Sequence, residues 1–228
     1  MKKLTSIFGK KDIIINESPF IEGDNIITTM FKSLFGQIRD KYIEIFGTTE
    51  MPNYTLPKIV VIGNESTGKS SLLENITKCP IFPRDAKICT KCPICIKLHN
   101  GASNYSVMYE GKIIPIQDRK LIHAIIRDYM AKLSDDDIVE QEIIVNITDT
   151  DMPDMEFYDL PVIRSFPLEL ADKTTKLCRK YLEDENSIIL CVVPANITRL
   201  KTCQSVALVK EAKMENNCIL ALTMADRV

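Results

Sequence analysis

Lys58-Ile59-Val60-Val61-Ile62-Gly63-Asn64-Glu65-Ser66-Thr67-Gly68-Lys69-Ser70-Ser71 is the stretch that decides the fold. An apolar, β-branched run ends at Gly63 and a helix-forming segment opens at Lys69, so GxxxxGK[ST] falls between a strand and a helix. Glycines at both ends let the backbone curl until successive N–H groups point at phosphate oxygens, and the helix N-terminus adds partial positive charge. Lys69 is then expected to reach the β and γ phosphates of a nucleotide, and the Ser70 hydroxyl to bind Mg²⁺. Four fixed positions match by chance on the order of once in a hundred chains of this size. The flanking periodicities lower that figure further.

Outward from this stretch, short apolar runs alternate with helical segments. Strands are expected over 58–62, 94–98, 105–109, 142–147, 155–158, 188–193 and 218–222, and helices over 69–78, 118–133, 169–183 and 202–214. Leu121, Ile122, Ile125, Ile126, Tyr129 and Leu133 share one face of the 118–133 helix. Alternation of this kind requires crossovers, hence an α/β fold with a mostly parallel, doubly wound sheet. The strands within 142–158 are too closely connected for a crossover and are expected to be an antiparallel pair. Upstream, Ile27, Met30, Phe31, Leu34, Ile38 and Tyr42 recur at three- and four-residue intervals, which makes 24–46 one amphipathic helix. A polar, Pro-containing linker follows it. The chain is expected as a tail over 1–23, a helical segment over 24–50 and a domain over 56–228.

Composition bounds the rest. The 228 residues are 45% hydrophobic and 26% charged, which is globular. Twenty-nine basic against 31 acidic side chains leave −2, so no overall field draws the chain to nucleic acid or anionic lipid. The longest unbroken apolar run, 188–194, falls far short of the roughly 20 residues of a membrane span, and no signal peptide opens the chain. A cytoplasmic protein, peripheral at membranes at most, is expected, with its eight cysteines as reduced thiols. Cys191 and Cys218 lie in apolar runs and read as core residues. Cys89, Cys92, Cys95 and His99 could supply four zinc ligands. Structural sites usually join two separated knuckles, however, and here one short segment would have to wrap the metal alone.

A nucleotide site of this kind needs a second Mg²⁺ handle, an Asp at the end of a neighbouring strand. Asp159, in Met155-Glu156-Phe157-Tyr158-Asp159-Leu160-Pro161, stands where it is needed. Taken alone, an Asp before Leu-Pro is more often a turn residue. After the 218–222 strand comes Thr223-Met224-Ala225-Asp226. A carboxylate there can accept from both N1 and the exocyclic amine of guanine, a pair that adenine does not offer.

Together these segments resemble the GTPase domain of the dynamin superfamily. The resemblance runs from about residue 25 to the last residue. It rests on Leu56-Pro57-Lys58 leading into 59–74, then Phe82-Pro83-Arg84, Thr90-Lys91-Cys92-Pro93, Asp159-Leu160-Pro161 and Pro194-Ala195-Asn196. It implies a P-loop GTPase fold with an antiparallel strand in its sheet, preceded by the first helix of a bundle that passes nucleotide state to a stalk. It implies GTP and GDP as ligands and Mg²⁺ held by Ser70, Thr90 and, through water, Asp159. A monovalent cation beside Ser66 would stand in for an arginine finger. Glu65, Ser66, Lys69 and Thr90 are the implied catalytic set. Asn64, Glu65, Ser66, Thr67, Gly68, Lys69, Ser70, Ser71, Asp159, Val162, Thr223 and Asp226 are the implied nucleotide contacts. The implied partners are a second copy of the domain or a full-length relative, with indirect membrane association and a family role in membrane remodelling. Cys89 and Cys92 bracket Thr90 in the implied first switch, where zinc would immobilise a segment that must move.

Three positions depart from that family pattern. Glu65 replaces a Gln that orients the attacking water. Val162 replaces the Gly of DxxG, whose N–H meets the γ-phosphate, and Met224 replaces a Lys that stacks on the base and braces the P-loop. The family's domain also continues past the point corresponding to Val228, so an incomplete domain is expected. Two readings follow: a dynamin-like GTPase with slow hydrolysis, and a catalytically impaired binding or dimerisation module that modulates a full-length relative. An ATP-binding P-loop protein is a third, and it would leave Asp226 idle.

Overall fold

The computed structural model describes residues 58–82, 90–133, 138–150, 152–163, 168–184, 186–197 and 199–227, together with 4–5, 12–13 and 45. The chain divides into two units, Met1–Thr49 and Glu50–Val228. In the first, Leu4–Thr5 pairs antiparallel with Asp12–Ile13. The amphipathic helix expected over 24–46 lies outside the described residues, apart from Ile45, which is helical.

The second unit carries β1 (Lys58–Gly63), α1 (Lys69–Thr77), β2 (Ile94–Asn100), β3 (Asn104–Tyr109), β4 (Lys112–Ile116), α2 (Ile122–Met130), β5 (Ile143–Asp149), β6 (Met155–Asp159), α3 (Leu168–Leu182), β7 (Ile188–Pro194), α4 (Gln204–Glu211) and β8 (Cys218–Thr223). Its eight strands form one sheet in the order β8-β7-β1-β6-β2-β5-β3-β4. The run β8, β7, β1, β6 is parallel throughout. β2 lies antiparallel to β6 and parallel to β5, and β3 and β4 close the sheet as an antiparallel hairpin. The interior residues of β1 and β7 are buried without alternation, as expected of strands covered on both faces. α3 and α4 pack on each other and on β1.

The sheet corrects the sequence reading in three places. β5 and β6 run in opposite senses, as their short connection requires, but they are not neighbours: β2 lies between them and pairs with both. A short connection limits the relative direction of two strands without specifying which strand fills the gap between them. Three strands, β2, β4 and β5, therefore run against the others, not one. β4 was hidden by Pro115, which lacks an N–H; the strand tolerates it because β4 is the sheet edge. The β3–β4 turn is made by Glu110 and Gly111, both at positive φ (50° and 74°), the twist a two-residue hairpin needs.

The expected 118–133 helix is also shorter than its apolar pattern. The Asp118 carboxylate accepts from the N–H of Lys120 at 2.9 Å, and the opening turn, Arg119–Leu121, is 3₁₀. The tighter turn shifts the phase, so Leu121 is 53% exposed while Ile122, Ile126 and Met130 are buried. Phe157 of β6 is fully enclosed. Phe157→Ala is expected to cost about 3–5 kcal/mol in urea denaturation with an unchanged denaturant slope.

Candidate nucleotide-binding site

β1, β6, β7 and β8 end at one edge of the sheet, with Gly63, Asp159, Pro194 and Thr223 as their last residues. The open C-terminal edge of parallel strands is where an α/β sheet receives ligands. The loop from β1 to α1 curls through positive φ at Ser66 (58°) and Gly68 (82°), the alternation that turns successive N–H groups into one concavity. Gly68 caps α1 with no side-chain hydrogen bond. At Gly63 a Cβ would stand 2.7 Å from Thr67 Oγ1 and 2.9 Å from the Val192 carbonyl, so only glycine fits. Thr67 Oγ1 donates to the Asn64 carbonyl at 3.0 Å and closes the turn.

Lys69 projects from the first turn of α1 and donates to Asp159 Oδ1 and, at 2.8 Å, to the Leu160 carbonyl. Lys69 is 5% exposed and Asp159 fully buried. Thr90 Oγ1 donates to the other carboxylate oxygen at 3.4 Å. Burial pushes the Asp159 carboxyl above the usual carboxylate range; the Lys69 ammonium and the Thr90 hydroxyl oppose that shift. The register explains why the Leu160 carbonyl is available. Val61 pairs with Asp159, but the next bridge joins Asn64 to Ile163, which inserts one extra residue on the β6 side.

Two contacts that sequence reasoning missed hold the chain on either side of residues 83–89. Glu74 Oε1, on α1, accepts from the N–H groups of Ile81 and Phe82, each at 3.1 Å. The buried Lys91 donates from Nζ to the Leu133 carbonyl at 2.9 Å and the Met130 carbonyl at 3.4 Å, at the C-terminal end of α2. That contact fixes the residue next to Thr90. A lone lysine ahead of a strand reads as surface charge, and only the packing of α2 reveals otherwise. In the cysteine segment, Cys92 and Cys95 are buried and burial pushes each thiol up to about 12. His99 Nδ1 lies 3.5 Å from Asp154, and Cys89 lies outside the described residues. Among the described residues no group of three or more His, Cys, Asp or Glu side chains is placed to hold a metal ion.

Thr223 sits against the P-loop. Its hydroxyl donates to the Thr67 carbonyl at 2.5 Å and approaches the Val193 carbonyl at 3.3 Å, so β8 braces the loop directly. Asp226 is exposed in the 3₁₀ turn Ala225–Arg227 that follows β8. Glu65, Ser66 and Ser71 are exposed, and Ser70 and Val162 half-buried. The Asn64 side chain is turned toward α4, where it accepts from the Ser205 N–H at 3.1 Å. The structure thus joins the P-loop, Thr90, Asp159 and Thr223 through contacts that span 69 and 156 positions of the chain.

A mostly parallel sheet with this loop between its first strand and helix is a P-loop GTPase α/β fold. The chain belongs to the dynamin family, whose sequence profile matches residues 59–225. It is 28% identical over 182 residues to putative dynamin-related protein 4A of Arabidopsis thaliana, covering 75% of this chain and 60% of that protein. Dynamin-related protein 4C of the same plant is 26% identical over 227 residues, 95% of this chain and 33% of its own length. The dynamin-like GTPase MGM1, mitochondrial, of Saccharomyces cerevisiae is 33% identical over 152 residues, 63% of this chain and 17% of its own. The chain therefore spans three fifths or less of the length of these relatives.

Lys69→Ala leaves Asp159 buried without its cation and is expected to lose about 3–5 kcal/mol at pH 7. Losing Lys69 lifts the folded-state carboxyl further above its unfolded value. A carboxyl raised in the fold is tolerated while protonated, so the deficit is small at about pH 4 and below. It grows as pH rises through the folded-state pKa. Urea denaturation of wild type and variant at about pH 4 and pH 7 measures this, and an equal deficit at both values would contradict the ion-pair account.

Proposed function

We propose that the chain binds GTP and GDP with Mg²⁺ and hydrolyses GTP slowly to GDP and phosphate. One observation carries this reading: the buried Lys69 ammonium, at the start of a P-loop helix, rests on one oxygen of Asp159 while Thr90 takes the other. A phosphate group would give Lys69 a substitute anion. Asp159 would then need a cation in place of Lys69, so polyphosphate and metal are expected to bind together. The hydroxyls of Ser70 and Thr90 and the Asp159 carboxylate are few, hard oxygen donors. That set fits Mg²⁺, which keeps several waters and phosphate oxygens in its shell. When bound, the ion supplies neutralisation of the phosphate charge.

The chain's own residues do the rest. Lys69 meets the β and γ phosphates, and the N–H groups of the P-loop orient them. With nucleotide bound, Ser66 would meet the charge between the phosphates, Thr90 and Glu65 would hold the attacking water, and Asp226 would select guanine. The names of the relatives, a dynamin-like GTPase among them, support GTP as the nucleotide.

The second reading, a binding or dimerisation module with impaired hydrolysis, is favoured by a specific feature. Val162 sits where flexibility is wanted, and the next residue, the buried Ile163, is bridged to Asn64 of the P-loop. A second copy of the domain or a full-length relative is the partner proposed under either reading. Membrane association is proposed as indirect, through that partner; among the described residues no helix is long and apolar enough to cross a membrane.

GTP or GDP with Mg²⁺ is expected to raise the melting temperature, by an amount that grows with the ratio of ligand to Kd, and ATP is not. Absence of any shift at saturating GTP and GDP would sink the nucleotide reading. Asp226→Asn, at an exposed position, is expected to leave the unliganded melting temperature unchanged and to move the preference from guanine to xanthine nucleotides. Equal competition by ATP and GTP in the wild type would refute guanine selection.

Hydrolysis tests the second switch. Val162→Gly combined with Glu65→Gln is expected to raise the single-turnover rate about tenfold, the worth of roughly one recovered hydrogen bond in the transition state. A wild type already as fast as the double variant would show that these departures are tolerated.

A further inference from the structure

The P-loop residue Asn64 is engaged on three sides. Its carbonyl accepts from Thr67 Oγ1 at 3.0 Å, and its backbone is bridged to Ile163, four residues beyond Asp159. Its side-chain oxygen accepts from the Ser205 N–H at 3.1 Å and from Cys203 Sγ at 3.4 Å. Ser205 and Cys203 are both buried and lie at the start of α4, where Cys203, the N-cap, makes no side-chain capping bond. The first N–H groups of a helix have no partner inside it. Here the missing cap comes from a residue 141 positions away in the chain. An amide oxygen has two lone pairs, and one donor from α4 and one from its N-cap residue use them.

We propose that Asn64 is a positioning residue: by capping α4 with its side chain it fixes the P-loop, the segment after Asp159 and α4 in one shared geometry. Asn64 serves the phosphate site through the set of its backbone and not through a contact of its side chain. The consequence for ligand binding rests on the nucleotide reading above, whereas the coupling of the three segments does not. Alanine removes the acceptor and leaves the buried Ser205 N–H without it. Aspartate keeps an oxygen in the same place for both donors, so it is the conservative replacement.

Amide hydrogen exchange of the full chain without nucleotide, together with titrations of GTP, GDP and guanosine, tests the proposal in wild type, Asn64→Ala and Asn64→Asp. In Asn64→Ala, exchange is expected to rise about tenfold at Ser205 and also across 66–70, the loss of one hydrogen bond spread over coupled segments. Affinity for GTP and GDP falls about tenfold, while guanosine, which has no phosphate, binds as to the wild type. Asn64→Asp stays within about threefold of wild type in every measurement. Cys203→Ala removes the thiol donor to Asn64 and also the 3.0 Å contact of Cys203 Sγ with Ser205 Oγ. A rise in exchange of about two- to threefold across 66–70, which the second contact does not reach, keeps the test decisive if Asn64→Ala does not fold.

Faster exchange confined to Ser205, with 66–70 unchanged, overturns the proposal. So does an equal loss in Asn64→Ala and Asn64→Asp. A wild type in which 66–70 depend on Asn64 but GTP does not bind would retire the nucleotide reading alone and uphold the coupling.

Discussion

A lysine and an aspartate buried against each other at the end of a sheet are the contact on which the site depends. Removing both charges from water costs several kcal/mol per ion, recovered only where the geometry is good and the remaining hydrogen-bonding capacity is used. The pairing here offsets that cost in part, and burial still holds the Asp159 carboxyl above its usual range. Lys69 takes Asp159 and the Leu160 carbonyl, and Asp159 takes Lys69 and the Thr90 hydroxyl. The ion pair pins the first turn of α1 to the end of β6, and through Thr90 it draws in the chain ahead of β2. The one-residue register slip between β1 and β6 belongs to the same arrangement, because it frees the Leu160 carbonyl to face Lys69.

Around that pair, each segment of the site is held from outside itself. The P-loop is braced by the Thr223 hydroxyl of β8 and anchored to α4 by Asn64. Thr90 is set by Lys91 at the end of α2, and the segment after α1 by Glu74. The parallel half of the sheet brings its strand ends to one edge, and the braces run between those ends. The antiparallel half, with β3 and β4 outermost, is farther from this chemistry in the sheet order.

The departures from the family pattern have a physical coherence. Val162 is half-buried and Ile163 buried, so the segment after Asp159 is packed where a glycine would leave it free to swing. Met224 takes a positive φ of 55°, and its neighbour Thr223 bonds the P-loop at the Thr67 carbonyl. With methionine at 224, the P-loop is thus still supported from the end of β8. The change at Glu65 is of another kind: the residue is exposed and alters the charge near the site without altering the packing.

What was legible in the sequence was whatever depends on near neighbours. The strand-loop-helix of 58–77 follows from a β-branched run, two glycines and a helical segment. The apolar runs of β7 and β8, and the carboxylate at the end of β6, are likewise patterns within a few residues. The family resemblance drew on the same local motifs. The order of strands did not follow from them, because β2 settles between β5 and β6 through long-range pairing that no local period encodes. β4 was concealed by a proline that only an edge position excuses, and Leu121 by a 3₁₀ turn that shifts the helical phase. The roles of Glu74, Lys91, Thr223 and Asn64 were decided by tertiary structure alone. Each is a polar side chain whose partner is a backbone group of another segment, brought within 3.5 Å by packing, and the sequence carries no sign of which backbone group that will be.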